Sequence, residues 1–418
     1  MRSLAAVRRA ATAITLILLL IPAAGIRAQD DFPFEIPFTN DLGVGARAMG
    51  MAGAYAAVAE DATALYYNPA ALARVERIEL SAAFTHHRVT KSNLFINRRS
   101  EETVSPTRIT QLGFVYPFPT YRGSFVIGFG FHRIMHVDRD YVRRASHPSI
   151  GGRVEEYIFD EGSLGMWTAG LAWDATPRVS LGVGASLIAG STYRDYLYRF
   201  DGATLNDYIE DSDVTGITGS VGAQVLMGRN GRFALKVDLP KDLDIEANGV
   251  FMDEEGDELE FFDEQDMTLP FSATVGYAHR LGDLIVAADL KFTDWKQLDY
   301  FGPNRTPPPD RDYAYREVLT ARFGAEYAFR FHPVRLRAGI ARDPAPYRLI
   351  LTEAADDGFE VAEFSPERYE VAVGLGALLE ESFTMDVAYT TSWYDREGTG
   401  LIEETGERKL YVGTAFRF

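Results

Sequence analysis

The chain has no cysteine. That excludes a small secreted module stapled by disulfides, and with it thiol nucleophiles and thiolate metal sites. Positive charge is scarce as well: 42 lysines and arginines stand against 60 aspartates and glutamates, a formal net charge of −18. Such a surface repels phosphate backbones, so nucleic acid is not a partner. Linkers are missing too, since no Ser/Gly or Pro-rich spacer divides the chain. Beyond the first 28 residues, no apolar run approaches the ~20 residues that a membrane-spanning helix needs. Neither a string of soluble domains nor a helical membrane protein fits these absences.

What is present begins with a leader. Arg2, Arg8 and Arg9 precede an uncharged run from Ala10 to Ile26 that contains Pro22 and ends near Ala28, the pattern of a secretory signal peptide over residues 1–28. Removing Arg2, Arg8, Arg9 and Arg27 with it takes the charge from −18 to −22. From about Arg77 onward, apolar side chains occupy every second position in strand-length stretches, which means strands with two different environments on their faces. In 178–190, Val179, Leu181, Val183, Ala185 and Leu187 share one face, while Ser180, Gly182, Gly184 and Ser186 share the other. In 316–330, Leu319, Ala321, Phe323, Ala325, Tyr327 and Phe329 oppose Thr320, Arg322, Gly324, Glu326 and Arg330.

Fourteen such stretches are expected: 77–90, 106–118, 122–137, 162–175, 178–200, 213–228, 231–247, 267–281, 283–299, 316–331, 333–343, 366–379, 382–395 and 408–418. Short connections at 119–123, 174–177, 228–231, 280–283, 330–333 and 379–382 alternate with longer polar ones. An even strand count, that alternation, a leader and no cysteine predict an all-β fold: a 14-stranded antiparallel transmembrane β-barrel of a Gram-negative-type outer membrane, both chain ends periplasmic. A soluble sandwich also alternates on short strands, but predicts no alternation of short and long connections. Aromatics near strand ends (Tyr116, Phe118 and Tyr121; Trp295 and Tyr300; Tyr389, Trp393 and Tyr394) suit an interfacial girdle. The last strand closes on Phe416 and Phe418, read as the membrane-insertion end met by the barrel-assembly machinery, with outer-membrane lipid around the wall.

If the apolar face meets lipid, the other face points into the lumen. There it carries Asp289, Lys291, Arg322, Glu326, Arg335, Arg337, Glu370, Asp386 and Arg417. Two readings stay open: mutual ion pairs, or cations among Lys291, Arg322, Arg335 and Arg337 that meet an acidic ligand head. The stretches SFVIGFGFHRIM and SLGMWTAGLAW are apolar or small on both faces, so that side of the lumen should be greasy. Gly128 and Gly130 sit mid-strand there, where glycine marks either a bend or close packing. The acidic run 253–266 lacks the glycine placement of a calcium loop, adjacent His86 and His87 face opposite ways, and no Ser/His/acid set is evident. No enzyme, metal or cofactor chemistry is expected.

Residues 45–72, GARAMGMAGAYAAVAEDATALYYNPAAL, fit no strand. Glycines at 43, 45, 50 and 53 permit tight bends, Asp61 can cap the apolar turn after it, and Asn68 can cap another that starts at Pro69. Small, capped and apolar, the segment suits a compact plug in a narrow lumen. It resembles the N-terminal hatch of the FadL-type long-chain fatty acid and hydrocarbon transporters, with Gly45, Arg47, Gly50, Gly53, Ala54, Asp61, Asn68, Pro69 and Ala70 at matching places. LPFSATVGYAHRLGDLIVAADLKFTDWKQLDY (269–300) and the stretches after 323 and 367 are similar to that family's later strands.

The resemblance implies a hatch at 29–76, a barrel at 77–418, and passive diffusion of a hydrophobic small molecule with lateral exit at a kink in the third strand, near Gly128 and Gly130. The acidic stretch 248–265 would repel a carboxylate. A similar Gly-rich and Asn-Pro-Ala signature occurs in PorV/PorQ-like barrels of type IX secretion, which implies the alternative of a cargo-binding secretion partner.

Overall fold

The computed structural model describes residues 43–418 apart from 96–97, 148–151, 253–257, 302–314, 348, 356–357, 365 and 399–400. The leader and positions 29–42 of the expected hatch lie outside the described residues.

Lipid offers no partner to a free backbone amide, so a sheet can enter it only when closed. Here fourteen of the described strands close. In chain order they are β1 (Glu79–Phe95), β2 (Thr107–Phe118), β3 (Phe125–His136), β4 (Gly152–Thr176), β5 (Val179–Phe200), β6 (Ala203–Met227), β7 (Gly231–Asp238), β8 (Ser272–Leu281), β9 (Leu284–Asp294), β10 (Glu317–Ala328), β11 (Val334–Pro344), β12 (Glu367–Leu379), β13 (Phe383–Gly398) and β14 (Leu401–Arg417). Each pairs antiparallel with the next. β14 returns to β1 in an unbroken register from Glu79–Arg417 to Phe95–Leu401. The result is a 14-stranded antiparallel barrel, all-β as the alternation predicts.

Alternation sorts the two faces as expected. Leu80, Phe114, Phe129, Leu187, Val221, Leu290, Leu319 and Val373 are exposed on the outside, whereas Ser180, Ser186, Thr320 and Glu326 are buried inside. Phe416 and Phe418 stand exposed at the end of β14, ring edge to ring face at 4.7 Å.

Two differences from the expected strands have physical causes. β4 and β6 start ten residues, and β14 seven residues, earlier than the pattern marked, at Gly152, Ala203 and Leu401. Beyond the apolar band a strand has no lipid-facing row, so nothing in the sequence signals that it continues. Conversely, the expected strands 231–247 and 267–281 are each interrupted. β7 ends at Asp238, and Lys241–Met252 then pairs with Glu258–Leu269; β8 starts only at Ser272. Pro240 and Pro270 sit in the two interruptions and have no amide to give the ladder.

Residues 43–75 occupy the lumen. Ala46–Met49 (α1) and Ala64–Tyr67 (α2) are single helical turns, followed by a 3₁₀ stretch, Pro69–Arg74. Most of this segment is fully buried, including Met51, Tyr55, Leu65 and Leu72. Inward glycines of the wall make its room. A Cβ at Gly324 would lie 2.6 Å from the Met51 carbonyl, one at Gly170 2.6 Å from Leu65, and one at Gly374 2.9 Å from the Cα of Gly50. At Gly182 and Gly222 it would collide with Pro69, Ala70 and Asn68. A wall lined with larger residues would exclude the segment. Accordingly, Gly324→Val should expose residues 43–75 to added protease in the folded, detergent-solubilised barrel. Full protection in a variant that keeps its sheet signal would show that the wall does not hold the segment so closely.

Candidate functional site: the lumen segment and the cavity beside it

The segment has too few residues in regular structure to satisfy its own backbone, so wall side chains do it. Asp289 on β9 accepts from the amides of Tyr55 and Ala56 at 2.7 and 2.8 Å. Glu79 on β1 accepts from the Ala62 amide at 2.9 Å and takes Arg417 of β14 at 2.7 Å. Gln224 on β6 donates to the Ala57 carbonyl, and Lys236 on β7 to that of Tyr66.

Within the segment, Asn68 does three things: its Oδ1 caps Ala70, and its Nδ2 donates to the carbonyls of Ala56 and of Ala223 in the wall. Pro69 and Ala70 form the first turn after that cap, pressed against β5 and β6. Asp61 accepts from the Thr63 amide at 3.0 Å and the Tyr55 hydroxyl at 2.7 Å. Burial holds the Tyr55 phenol well above its ordinary pKa, so it remains a donor. Gly45 and Gly53 have positive φ, 81° and 74°, which side chains resist. Gly50 packs between Arg337 and Gly374.

A charge cluster clamps one side of the segment. Arg47 donates twice to Glu326, at 3.0 Å each, and lies 3.6 Å from Asp61. Arg337 donates to the same Glu326 at 2.7 Å and to Asp386 at 2.6 Å, and Arg335 approaches Glu326 to 3.8 Å. The Arg337 and Glu326 side chains are 1% and 3% exposed, so these charges have one another as partners in place of water.

On the other side lies a cavity of about 180 Å³, open to the outside. One wall is apolar: Leu65 and Tyr66 of the segment, Ile134 and Met135 of β3, Leu164 and Met166 of β4, Ile188 of β5, then Leu243, Leu269 and Trp295. The rest of the lining carries charge in pairs. Lys236 sits 2.6 Å from Asp238, and Arg368 pairs with Asp343.

The structure therefore divides the expected lumen cations. Lys291 and Arg322 line this cavity, whereas Arg335 and Arg337 belong to the clamp on the far side. Gly128 and Gly130 lie in continuous ladder, opposite Val115 and Gly113 on β2 and Gly170 and Thr168 on β4. Their missing side chains make room for Leu65. The register breaks three residues later, between Arg133 and Met135. That bulge turns both Ile134 and Met135 toward the cavity, a placement strict alternation cannot give.

Because Glu326 joins three arginines, Glu326→Ala should cost about 3–5 kcal/mol by leaving an excess of buried positive charge. Replacing Glu326 and Arg337 together by leucine and methionine should cost less. Chemical unfolding in detergent reads both, and equal losses would mean that the cluster does not act as a unit.

No protein-family model matches the sequence, and no curated protein matches it. Solved structures do. The toluene transporter TodX of Pseudomonas putida superposes with a TM-score of 0.66 at 14% identity, over 91% of this chain and 99% of that one. A FadL homologue of Pseudomonas aeruginosa gives 0.63 at 16%, over 94% and 100%. The monoaromatic hydrocarbon channel CymD gives 0.58 at 15%, over 91% and 98%. In fold, this chain is similar to these barrels.

Proposed function

We propose that the barrel carries uncharged hydrophobic molecules of hydrocarbon type across the outer membrane by passive diffusion. The segment 43–75 acts as the hatch that a seated ligand shifts. The observation that carries this reading is the cavity itself, greasy along β3 to β5 and charge-matched in the rest of its lining. A fatty-acid carboxylate needs a cation that is not already neutralised. Lys236 and Arg368 are held by Asp238 and Asp343, and Lys241, Lys291 and Arg322 have partners as well. A neutral ligand asks nothing of them. The likeness in fold to a toluene transporter and a monoaromatic hydrocarbon channel supports the same class. On this reading the short turns and both chain ends face the periplasm, and Phe416 and Phe418 present the last strand to the assembly machinery.

The lateral exit at β3 is part of the proposal, moved up from Gly128 and Gly130. The β2–β3 ladder stops at the pair Gln111–His132. Beyond it, the carbonyl of Ile109 is taken by the Arg133 guanidinium at 2.9 Å instead of by a strand. Arg133 thus patches a stretch of wall where ladder is absent.

Proteoliposomes loaded with the purified barrel should admit toluene or an alkane faster than empty vesicles, with a smaller gain for long-chain fatty acid. Equal hydrocarbon rates with and without protein would refute transport, and a preference for the anion would refute the neutral class. For the exit, Arg133→Cys adds the only thiol in the chain. Coupling it to a bulky reagent should block uptake that the unmodified variant retains; uptake indifferent to the adduct would place the exit elsewhere.

A further inference from the structure

The wall has a second discontinuity, on the β6–β8 side. β7 and β8 pair from Gly231–His279 to Asp238–Ser272, and the ladder resumes beyond them at Lys241–Leu269. The four residues between, Leu239 and Pro240 facing Pro270 and Phe271, have no ladder pair, and two of them are prolines without an amide. On the β6 side, the Leu239 amide still reaches the Gly219 carbonyl. The carbonyls of Leu239 and Pro240, however, are capped by the Thr218 hydroxyl at 3.1 and 3.0 Å.

The cavity extends to this gap: Thr218, Gly219, Lys241, Leu269, Pro270 and Ser272 all line it. From outside, the gap is covered by a side chain. A Cβ at Gly219 would meet Leu239 Cδ1 at 3.2 Å, and Leu239 is 47% exposed.

Its height is set by the outer faces of the strands around it. Leu235, Leu239, Val221 and Ile217 are exposed and apolar, and exposed Asp242, Asp244 and Asp213 follow directly beyond them. The gap therefore lies at the edge of the apolar band on the side away from the short turns, in the outer half of the bilayer. Above it, carboxylates face one another across strands, Asp213 to Glu246 to Glu264 and Asp244 to Asp266. That fence repels anions and leaves neutral molecules unaffected.

We propose that the window at Leu239–Pro240 and Pro270–Phe271 is a lateral inlet, through which neutral hydrophobic molecules already dissolved in the outer half of the bilayer enter the cavity, with the Leu239 side chain as its flap. Apolar solutes concentrate in hydrocarbon rather than in water, so an inlet at bilayer depth draws on the larger supply. The inlet rests on the transport reading above, and its test separates the two.

The register of the flanking pairs places Leu239 opposite Phe271. Leu239→Cys with Phe271→Cys, in a chain with no other cysteine, closes the window on oxidation and reopens it on reduction. Proteoliposomes preloaded with toluene in the membrane should pass it about tenfold more slowly when oxidised, equivalent to about 1.4 kcal/mol in barrier. Reduction should restore the rate, and Leu239→Ala should raise it. As a second closure, Pro240→Val with Pro270→Val restores two amides to the ladder and should slow uptake in the same direction. If the reduced channel transports and oxidation, once confirmed by gel shift, changes nothing, the inlet is overturned and transport stands. If wild-type protein does not transport at all, the reading beneath both falls.

Discussion

Every backbone amide in the lumen must have a partner, and that requirement organises the rest of this structure. The barrel meets it for its strands by closing β14 on β1. The segment 43–75 cannot, because two single helical turns and a short 3₁₀ stretch leave amides and carbonyls over. Asp289, Glu79, Gln224 and Lys236 reach in from four different strands to take them. Those polar side chains are buried at the wall because the segment is there, and the segment is ordered because they are. Neither half is satisfied alone.

Close approach follows from the same need. Side chains as short as aspartate bridge to backbone only if segment and wall nearly touch, which is why Gly170, Gly324 and Gly374 stand where larger residues would collide. Charge is handled alike. Glu326 accepts from Arg47 of the segment and Arg337 of the wall together, so seating the segment ties its guanidinium into a buried cluster that Asp61 and Asp386 help to balance. With its cations so engaged, the lumen leaves its apolar side, from Leu65 to Ile188, as the part free to meet a ligand.

The two places where the ladder lapses contrast with this economy of partners. At β2–β3 the guanidinium of Arg133 stands in for a strand, and beside the β7–β8 gap the Thr218 hydroxyl of β6 takes the free carbonyls of Leu239 and Pro240. Both substitutes are single side chains, which move with far less disruption than a hydrogen-bonded ladder. The wall is therefore weakest at these two places.

The sequence by itself determined the strand count, the lipid-facing rows and the existence of a compact segment before β1, because a period of two and a run of small, capped residues are local properties. Asn68 before Pro69 announced its cap in the same local way. Only the tertiary structure decided what depends on register between distant strands: that Gly128 and Gly130 make room for Leu65, and that Lys291 and Arg322 face the cavity while Arg335 and Arg337 hold the segment from behind. The bulge that turns Met135 inward, and the two prolines that fall opposite each other, are likewise facts about neighbours. A single strand read alone has no neighbour against which its register is defined.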